Sequence, residues 1–257
     1  MNDIEIVYLS KPKLKNPILI EGLPGVGNVG KLAADHLVDE LKAVKFIDVF
    51  SSYFPPQVLV GDDGVVKLVR QEIYYVKKKS PNHDLIILAG DYQGMSPEGQ
   101  YVLSDRCLDV LEGYNIRRMY TLGGYGVGRM VEKPRVLGAA TDTKLVEEMK
   151  KYGIVFPKGE PGSGIIGASG LLLGLGKLRD IPGVCIMGET SGYFADPKSA
   201  EAVLEILTKI LSIKINYTKL EKKAAQIDKI TAQLKEMESP TSSPSPDSRS
   251  DDLRYIG

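Results

Sequence analysis

Apolar and polar positions divide the chain into two alternating kinds of segment. Short, continuous apolar runs such as 17–22 and 84–90 predict buried strands, because a strand covered on both faces has no polar side. Segments such as 31–42 instead repeat apolar residues every three or four positions, which predicts amphipathic helices. The same criteria predict strands at 44–50, 117–122, 154 and 183–187, and helices at 97–113 and 197–212. This alternation predicts an α/β fold with helices on both faces of a mainly parallel sheet.

The segment around Asp62-Asp63-Gly64 has a different pattern. Residues 57–60 and 65–75 are rich in strand-forming side chains, and the Asp-Gly pair between them favours a tight hairpin turn. We therefore expect some antiparallel pairing in the sheet.

A heptad pattern follows in residues 216–238, which we predict to form an amphipathic helix. Four apolar residues form what we call the seam: Leu220, Ile227, Ile230 and Leu234. Two to three heptads are too few for an independent coiled coil. The seam should therefore pack either on the chain's own domain or at an interface with another subunit.

The tail, residues 239–257, has the composition of a disordered segment. Positions 239–252 are built mostly of Ser, Pro, Asp and Thr and carry no large apolar side chain, so they cannot offset the entropy of ordering. The end of the tail carries its candidate binding groups: Leu253, Tyr255, Ile256 and Gly257. An unstructured terminus without a partner is the alternative. The chain thus divides into a core domain, an amphipathic helix and a tail with a terminal binding motif: 1–215, 216–238 and 239–257.

Composition narrows the classes of partner and compartment. The 257 residues have a formal net charge of zero and no basic stripe, so we expect no nucleic-acid partner. No apolar run approaches the ~20 residues of a membrane span. The two cysteines, Cys107 and Cys185, lie far apart in apolar surroundings and are expected to be reduced, although one disulfide remains an alternative. We expect a cytoplasmic protein.

Glycine-rich loops raise the question of a nucleotide. Residues 25–30 have the spacing of a dinucleotide fingerprint between a predicted strand and a helix. The same spacing recurs at 162–167, and glycines are also dense at 123–128. Because three such loops cannot all bind a cofactor and glycine also permits close packing, we predict no dinucleotide and no other cofactor.

Candidate catalytic residues are few. The two histidines, His36 and His83, lie in separate predicted elements, and no cluster has the spacing of metal ligands. Three acids lie at or just after the carboxyl ends of predicted strands, where open α/β sheets place ligand-binding groups: Glu21, Asp91 and Glu189. They either line a crevice or satisfy amides of the loops and helices. We predict no catalytic residue and no metal site.

Four stretches together resemble the archaeal branch of the proteasome assembly chaperone 2 family: 17–41, 84–93, 121–128 and 164–197. The resemblance implies a three-layer α/β/α sandwich similar to the nucleoside phosphorylase fold. It also implies a homo-oligomer, a tetramer or pentamer, that binds proteasome α subunits or the 20S core particle and has no enzymatic activity.

The resemblance also implies a role for the tail. Family members end in a hydrophobic residue, a tyrosine and any final residue; this motif enters pockets between α subunits, where the terminal carboxylate pairs with a lysine. Here Tyr255 takes the hydrophobic position and Gly257 supplies the carboxylate, whereas Ile256 stands in place of the tyrosine.

Two enzymatic alternatives use the crevice beside the glycine loops. One is an ATP-grasp-like ligase, which would need carboxylates to hold Mg²⁺. The other is a phosphorylase-like domain that binds a nucleoside. Neither alternative gives the tail a role.

Overall fold

The computed structural model describes residues 3–77, 83–157 and 164–238, the side chains of 228 and 230–238 excepted. The described strands are β1 Ile4–Tyr8, β2 Ile18–Glu21, β3 Val44–Ser51, β4 Val58–Val60, β5 Val66–Leu68, β6 Gln71–Val76, β7 Leu85–Gly90, β8 Arg118–Gly126, β9 Val136–Ala140 and β10 Gly183–Thr190. The described helices are α1 Val29–Leu41, α2 Pro97–Glu112, α3 Thr143–Lys150, α4 Ala168–Leu178, α5 Pro197–Leu211 and α6 Thr218–Glu238.

Eight of these strands form one mixed sheet in the order β1-β3-β6-β7-β2-β8-β10-β9. The central strands β7, β2, β8 and β10 are parallel, whereas β1, β3, β6 and β9 pair antiparallel at the two sides. The expectation of a mainly parallel sheet was therefore wrong for the outer strands. Parallel pairing needs a crossover, usually a helix, and the connection from β3 to β6 contains only a hairpin.

Helices cover both faces of the sheet, as the alternation predicts. On one face, Ile20 and Ile186 join a core with residues of α1, α3 and α5. On the other, Leu19 and Ile86 join a second core with residues of α2 and α4. Neighbouring residues of a strand point to opposite faces, so one continuous apolar strand supplies both cores. Leu19 and Ile20 are both fully buried.

Helix starts follow their capping residues. The Ser96 Oγ accepts a hydrogen bond from the Gly99 amide at 3.0 Å, and Pro97 occupies the first turn of α2. The Asp196 carboxylate likewise accepts from the Ser199 amide at 3.0 Å before α5. These caps explain why both predicted helices begin at the expected residue.

Residues 57–76 depart from the sequence prediction. The hairpin around Asp62-Asp63-Gly64 forms, but its strands β4 and β5 make a separate two-stranded sheet. The predicted strand 65–75 is interrupted at 69–70, after which β6 enters the main sheet. The strand predicted at 154 is only an isolated bridge between Leu137 and Val155. Among the described helices, none has the length and apolar character to cross a membrane.

Candidate functional site

The first glycine loop connects β2 to α1 and is tightly packed. A Cβ atom on Gly22 would lie 2.2 Å from the Gly30 carbonyl oxygen, and one on Gly30 would lie 2.2 Å from the Leu122 carbonyl oxygen. Only glycine therefore lets α1 approach both β2 and β8 so closely. The fingerprint glycine at position 30 is explained by the packing of a helix against strands.

The inner glycines of this loop also contact their own chain. Gly27 has a φ of +61°, and a Cβ there would lie 2.7 Å from the Thr190 Oγ1 atom. The glycine-rich segment 123–128 is mostly strand rather than loop, and a Cβ on Gly124, within β8, would lie 2.2 Å from the Val26 carbonyl oxygen. These contacts account for the glycines without a bound dinucleotide.

Glu21 ends β2 in the middle of the sheet and is fully buried. Its Oε1 accepts a hydrogen bond from the Leu23 amide at 3.0 Å, and its Oε2 accepts one from the Ser169 hydroxyl at 2.9 Å. Loss of water around the carboxylate raises the pKa of Glu21 from 4.5 to about 7, although both hydrogen bonds act in the opposite direction. Glu21 thus fastens the start of α4 to the end of β2.

The other two candidate acids bind different parts of the chain. Asp91 follows β7, and its Oδ2 accepts from the Arg70 amide at 3.1 Å, just before β6 begins. Glu189 lies near the end of β10, where its Oε1 accepts from the Arg135 Nε at 2.9 Å. The guanidinium of Arg135 lowers the pKa of the Glu189 carboxyl group.

Strand register separates the three acids. Glu21 pairs with Thr121 of β8, whereas Glu189 pairs with Tyr125 of the same strand, four residues or about 13 Å further along. Asp91 lies three residues beyond Leu88, the partner of Glu21 on β7, or about 10 Å along the strand direction. The structure therefore gives each acid its own partner and does not bring the three together. No cluster of three potential metal ligands occurs within the described ranges.

Neither cysteine has the properties of a nucleophile. Cys107 and Cys185 are buried free thiols. Burial raises the pKa of each to about 12, so both remain protonated at neutral pH. The alternative of a disulfide between them is excluded, and they are core residues.

Gln93 and Ser169 were missing from the candidate residues, although both lie at the same edge of the sheet. The Gln93 Nε2 donates to the Pro24 carbonyl at 2.6 Å, and its Oε1 accepts from the Ala168 amide at 2.9 Å. One side chain therefore joins the first glycine loop to the start of α4. Both residues lie within stretches that carry the family resemblance, but their contacts span 69 to 148 positions and follow from no local pattern.

The beginning of the seam packs on the chain's own domain. Leu220 is 1% exposed and belongs to the core shared by α1 and α5. Two polar contacts attach residues 216 and 217, just before α6, to the domain. The His36 Nε2 lies 2.7 Å from the Asn216 carbonyl oxygen, and the Tyr217 hydroxyl lies 2.9 Å from the Thr208 Oγ1. Ile227 is partly buried. The other two seam residues, Ile230 and Leu234, lie in α6, but their side chains are outside the described part of the structure.

The predicted partner-binding residues also lie outside the described part of the chain: Leu253, Tyr255, Ile256 and Gly257. Helix α6 ends at Glu238, at the last described residue. The assignment of these four tail residues as partner-binding groups remains a prediction from the sequence and from the resemblance.

Comparison with known proteins identifies the family. The profile of the PAC2 family matches residues 19–235, which is most of the chain. This protein therefore belongs to the PAC2 family, and the resemblance to archaeal proteasome assembly chaperones is confirmed.

Relatives and solved structures support this assignment over nearly the full length. The chain is 43% identical over 247 residues to the uncharacterized protein MJ1210 of Methanocaldococcus jannaschii, covering 95% of this chain and 93% of the relative. It is similar in structure to Pyrococcus furiosus PbaB, an archaeal proteasome activator, with 40% identity, a TM-score of 0.86, and coverage of 91% of this chain and 100% of PbaB. Pyrococcus furiosus PbaA, an archaeal homolog of proteasome-assembly chaperone, has 27% identity, a TM-score of 0.75, and coverage of 92% and 93%.

Proposed function

We propose that this protein is a proteasome assembly chaperone-like scaffold that binds proteasome α subunits, or the α ring they form, through its tail. The similarity to PbaB carries this proposal, because it combines 40% identity with a TM-score of 0.86 over 91% of the chain. PbaB is named a proteasome activator and PbaA a homolog of a proteasome-assembly chaperone. We infer a related proteasome partner here, and a homo-oligomer, tetrameric or pentameric, that presents several tails.

Contacts in the core support a scaffold over an enzyme. Glu21, Asp91 and Glu189 each satisfy donors of the chain itself, and the glycine loops pack against their own strands. The comparisons lend no support to a ligase or a phosphorylase, and similarity to the nucleoside phosphorylase fold remains part of the proposal. A thermal-shift assay tests the enzymatic alternatives. ATP or a nucleoside that binds specifically should stabilise the protein by about 2.7 kcal/mol when its concentration is 100 times its Kd, and we expect no such stabilisation.

The tail supplies the proposed contact. Tyr255 and Ile256 would enter an apolar pocket between α subunits, and the Gly257 carboxylate would pair with a lysine there. Positions 239–252 would act as a flexible linker with an r.m.s. span of ~20 Å. Such a span lets tails from one oligomer reach neighbouring pockets.

Truncation tests this proposal directly. Deletion of 253–257 should abolish α-ring binding in a pull-down and leave the melting temperature and the mass of the oligomer unchanged. One residue added after Gly257 should weaken binding nearly as much, because it displaces the carboxylate. Ser248→Ala, within the linker, is the matched control. Undiminished binding by both tail variants would place the contact on the folded domain.

A variant that is expected to gain affinity for the α ring gives a second test of the same proposal. Ile256→Tyr restores the tyrosine of the family motif, and its hydroxyl group can hydrogen-bond inside the pocket. We expect tighter binding to the α ring than that of the wild-type protein. Equal or weaker binding would indicate that this tail fits a pocket of different shape.

A further inference from the structure

The β4–β5 hairpin, residues 58–68, forms an arm outside the main sheet. It lies in the connection between β3 and β6, and its strands pair with each other in a separate two-stranded sheet. Two-stranded hairpins are marginally stable in water unless a third strand, a helix or another surface covers them. The arm therefore needs a stabilising contact.

One face of the arm is entirely apolar. The register pairs Val58 with Leu68 and Val60 with Val66, so these four side chains point to the same side. They are 46%, 54%, 67% and 61% exposed, respectively. Adjacent apolar side chains that remain this exposed indicate an interaction surface. We call these four residues the apolar face.

The opposite face of the arm also carries apolar side chains, but it includes a charge. Leu59 pairs with Lys67 there, and Val65 precedes Val66 and so points away from the apolar face. The charged groups of the arm thus lie off the apolar face: Asp62 and Asp63 at the tip, and Lys67 on the other side.

The apolar face continues into a groove of about 550 Å³ at the base of the arm. Val58 and Leu68 line the groove together with Phe50, Phe54, Pro55 and Pro56, among others. The Arg70 guanidinium lies beside the groove, 6.0 Å from the centre of the Phe50 ring, and is also paired with Glu72 at 3.0 Å and Asp48 at 3.4 Å. Face and groove form one continuous surface.

We propose that this surface binds a second copy of the chain, with the apolar face of one arm packed on that of its partner around a twofold axis. This goes beyond the proposed function, since it assigns the surface through which subunits meet. Of the two proposed oligomers it selects a tetramer with twofold symmetry, because a pentameric ring has no twofold axis. In a twofold contact, residues near the axis meet their own copies, so a charged face would repel itself. The apolar face carries no charge.

The charges at the two ends of the arm are compatible with a second copy. Antiparallel arms would bring the acidic tip, Asp62 and Asp63, of each arm toward the base of the other, where Arg70 lies. The apolar face, the acidic tip and the eight other residues that line the groove make fourteen positions, fewer than the ~20 residues per partner of a standard interface, so the contact is a small one.

Two adjacent valines provide a matched test. Val66→Lys places an ammonium group on the apolar face, whereas Val65→Lys makes the same change on the opposite face; both side chains are more than half exposed in the single chain. We expect Val66→Lys to weaken self-association by at least tenfold, because two unpaired charges would meet at the axis. Val65→Lys should assemble like the wild type. Sedimentation velocity at micromolar concentration measures both, and circular dichroism checks that both fold.

Cross-linking gives an independent readout. Both native cysteines are buried, so Val66→Cys would supply the one exposed thiol of the protein. Mild oxidation should then join two copies through a disulfide bond between their Cys side chains at position 66. A monomeric wild-type protein, equal effects of the two lysine variants, or no cross-link would each overturn the proposal. None of these measurements involves the proteasome, so their failure would leave the tail mechanism standing, and loss of tail binding would leave this interface intact.

Discussion

Glu21 is a carboxyl group that the fold holds in an unfavourable environment. It is fully buried, its partners are an amide and a hydroxyl, and no ion pair to it occurs in the described part of the chain. Burial favours its protonated form, which raises its pKa from 4.5 to about 7 in the folded state. The folded protein thus binds a proton that the unfolded chain has released at intermediate pH.

The pH dependence of stability follows from this shift. With the folded pKa above the unfolded one, Glu21 imposes no penalty below about pH 4.5, and the penalty grows until the pH passes about 7. At about 1.4 kcal/mol per pKa unit it reaches about 3 kcal/mol. Glu21→Gln should therefore remove about this much of the decline in unfolding free energy between pH 5 and 8. Urea denaturation measures the two curves, with the exposed Glu112→Gln as control; parallel curves for wild type and Glu21→Gln would contradict the shift.

At the scale of elements, the first turns of α6 pack on the domain that precedes them in the chain. Leu220 and Ala224 are buried, and Leu220 packs in the same core as α5. The described part of the seam thus acts first as an internal contact. This contact fixes the position of the first turns of α6.

Substitution at Leu220 tests that contact. Leu220→Ala removes a buried side chain from the core and should lower the unfolding free energy by about 2–5 kcal/mol. The mass of the proposed oligomer should not change, because this side chain faces its own domain. Lys222→Ala, on an exposed position of the same helix, is the control for denaturation and light scattering. Dissociation of the oligomer by Leu220→Ala, with unchanged stability, would place the residue at an interface instead.

Sequence patterns predicted the buried strands better than the rest of the fold. The apolar run 84–90 is continuous and short, which favours a strand buried on both faces, and β7 begins one residue later and ends at the same residue. Helix α4 was missed because its sequence, ASGLLLGLGKL, contains three glycines, and its stability comes from buried residues such as Leu172 rather than from helix propensity. The edge strand β1 was missed because its side chains are only partly buried. The Glu21–Ser169 contact links residues 148 positions apart, so no local pattern contains it.

At the scale of the whole molecule, the candidate contact surfaces lie outside the sheet core. Helices cover both sides of the sheet, and the candidate acids are engaged within the chain. The arm leaves the sheet between β3 and β6, and the tail follows α6. We infer that the three parts of the chain have separate roles: the core is a rigid support, the arm joins subunits and the tails contact the proteasome.

If the tails contact the proteasome in this way, binding to the α ring should depend strongly on the number of tails in the oligomer. Linked contacts to one α ring raise the effective concentration of each further tail, so the oligomer should bind ~10²–10⁴-fold more tightly than a peptide of residues 239–257. Competition against α-ring binding by the full protein measures this ratio. Val66→Lys, which retains its tails but should assemble less well, is expected to fall between the peptide and the wild type, whereas Val65→Lys should match the wild type. If the free peptide competes as well as the full protein, one tail suffices and assembly serves another purpose.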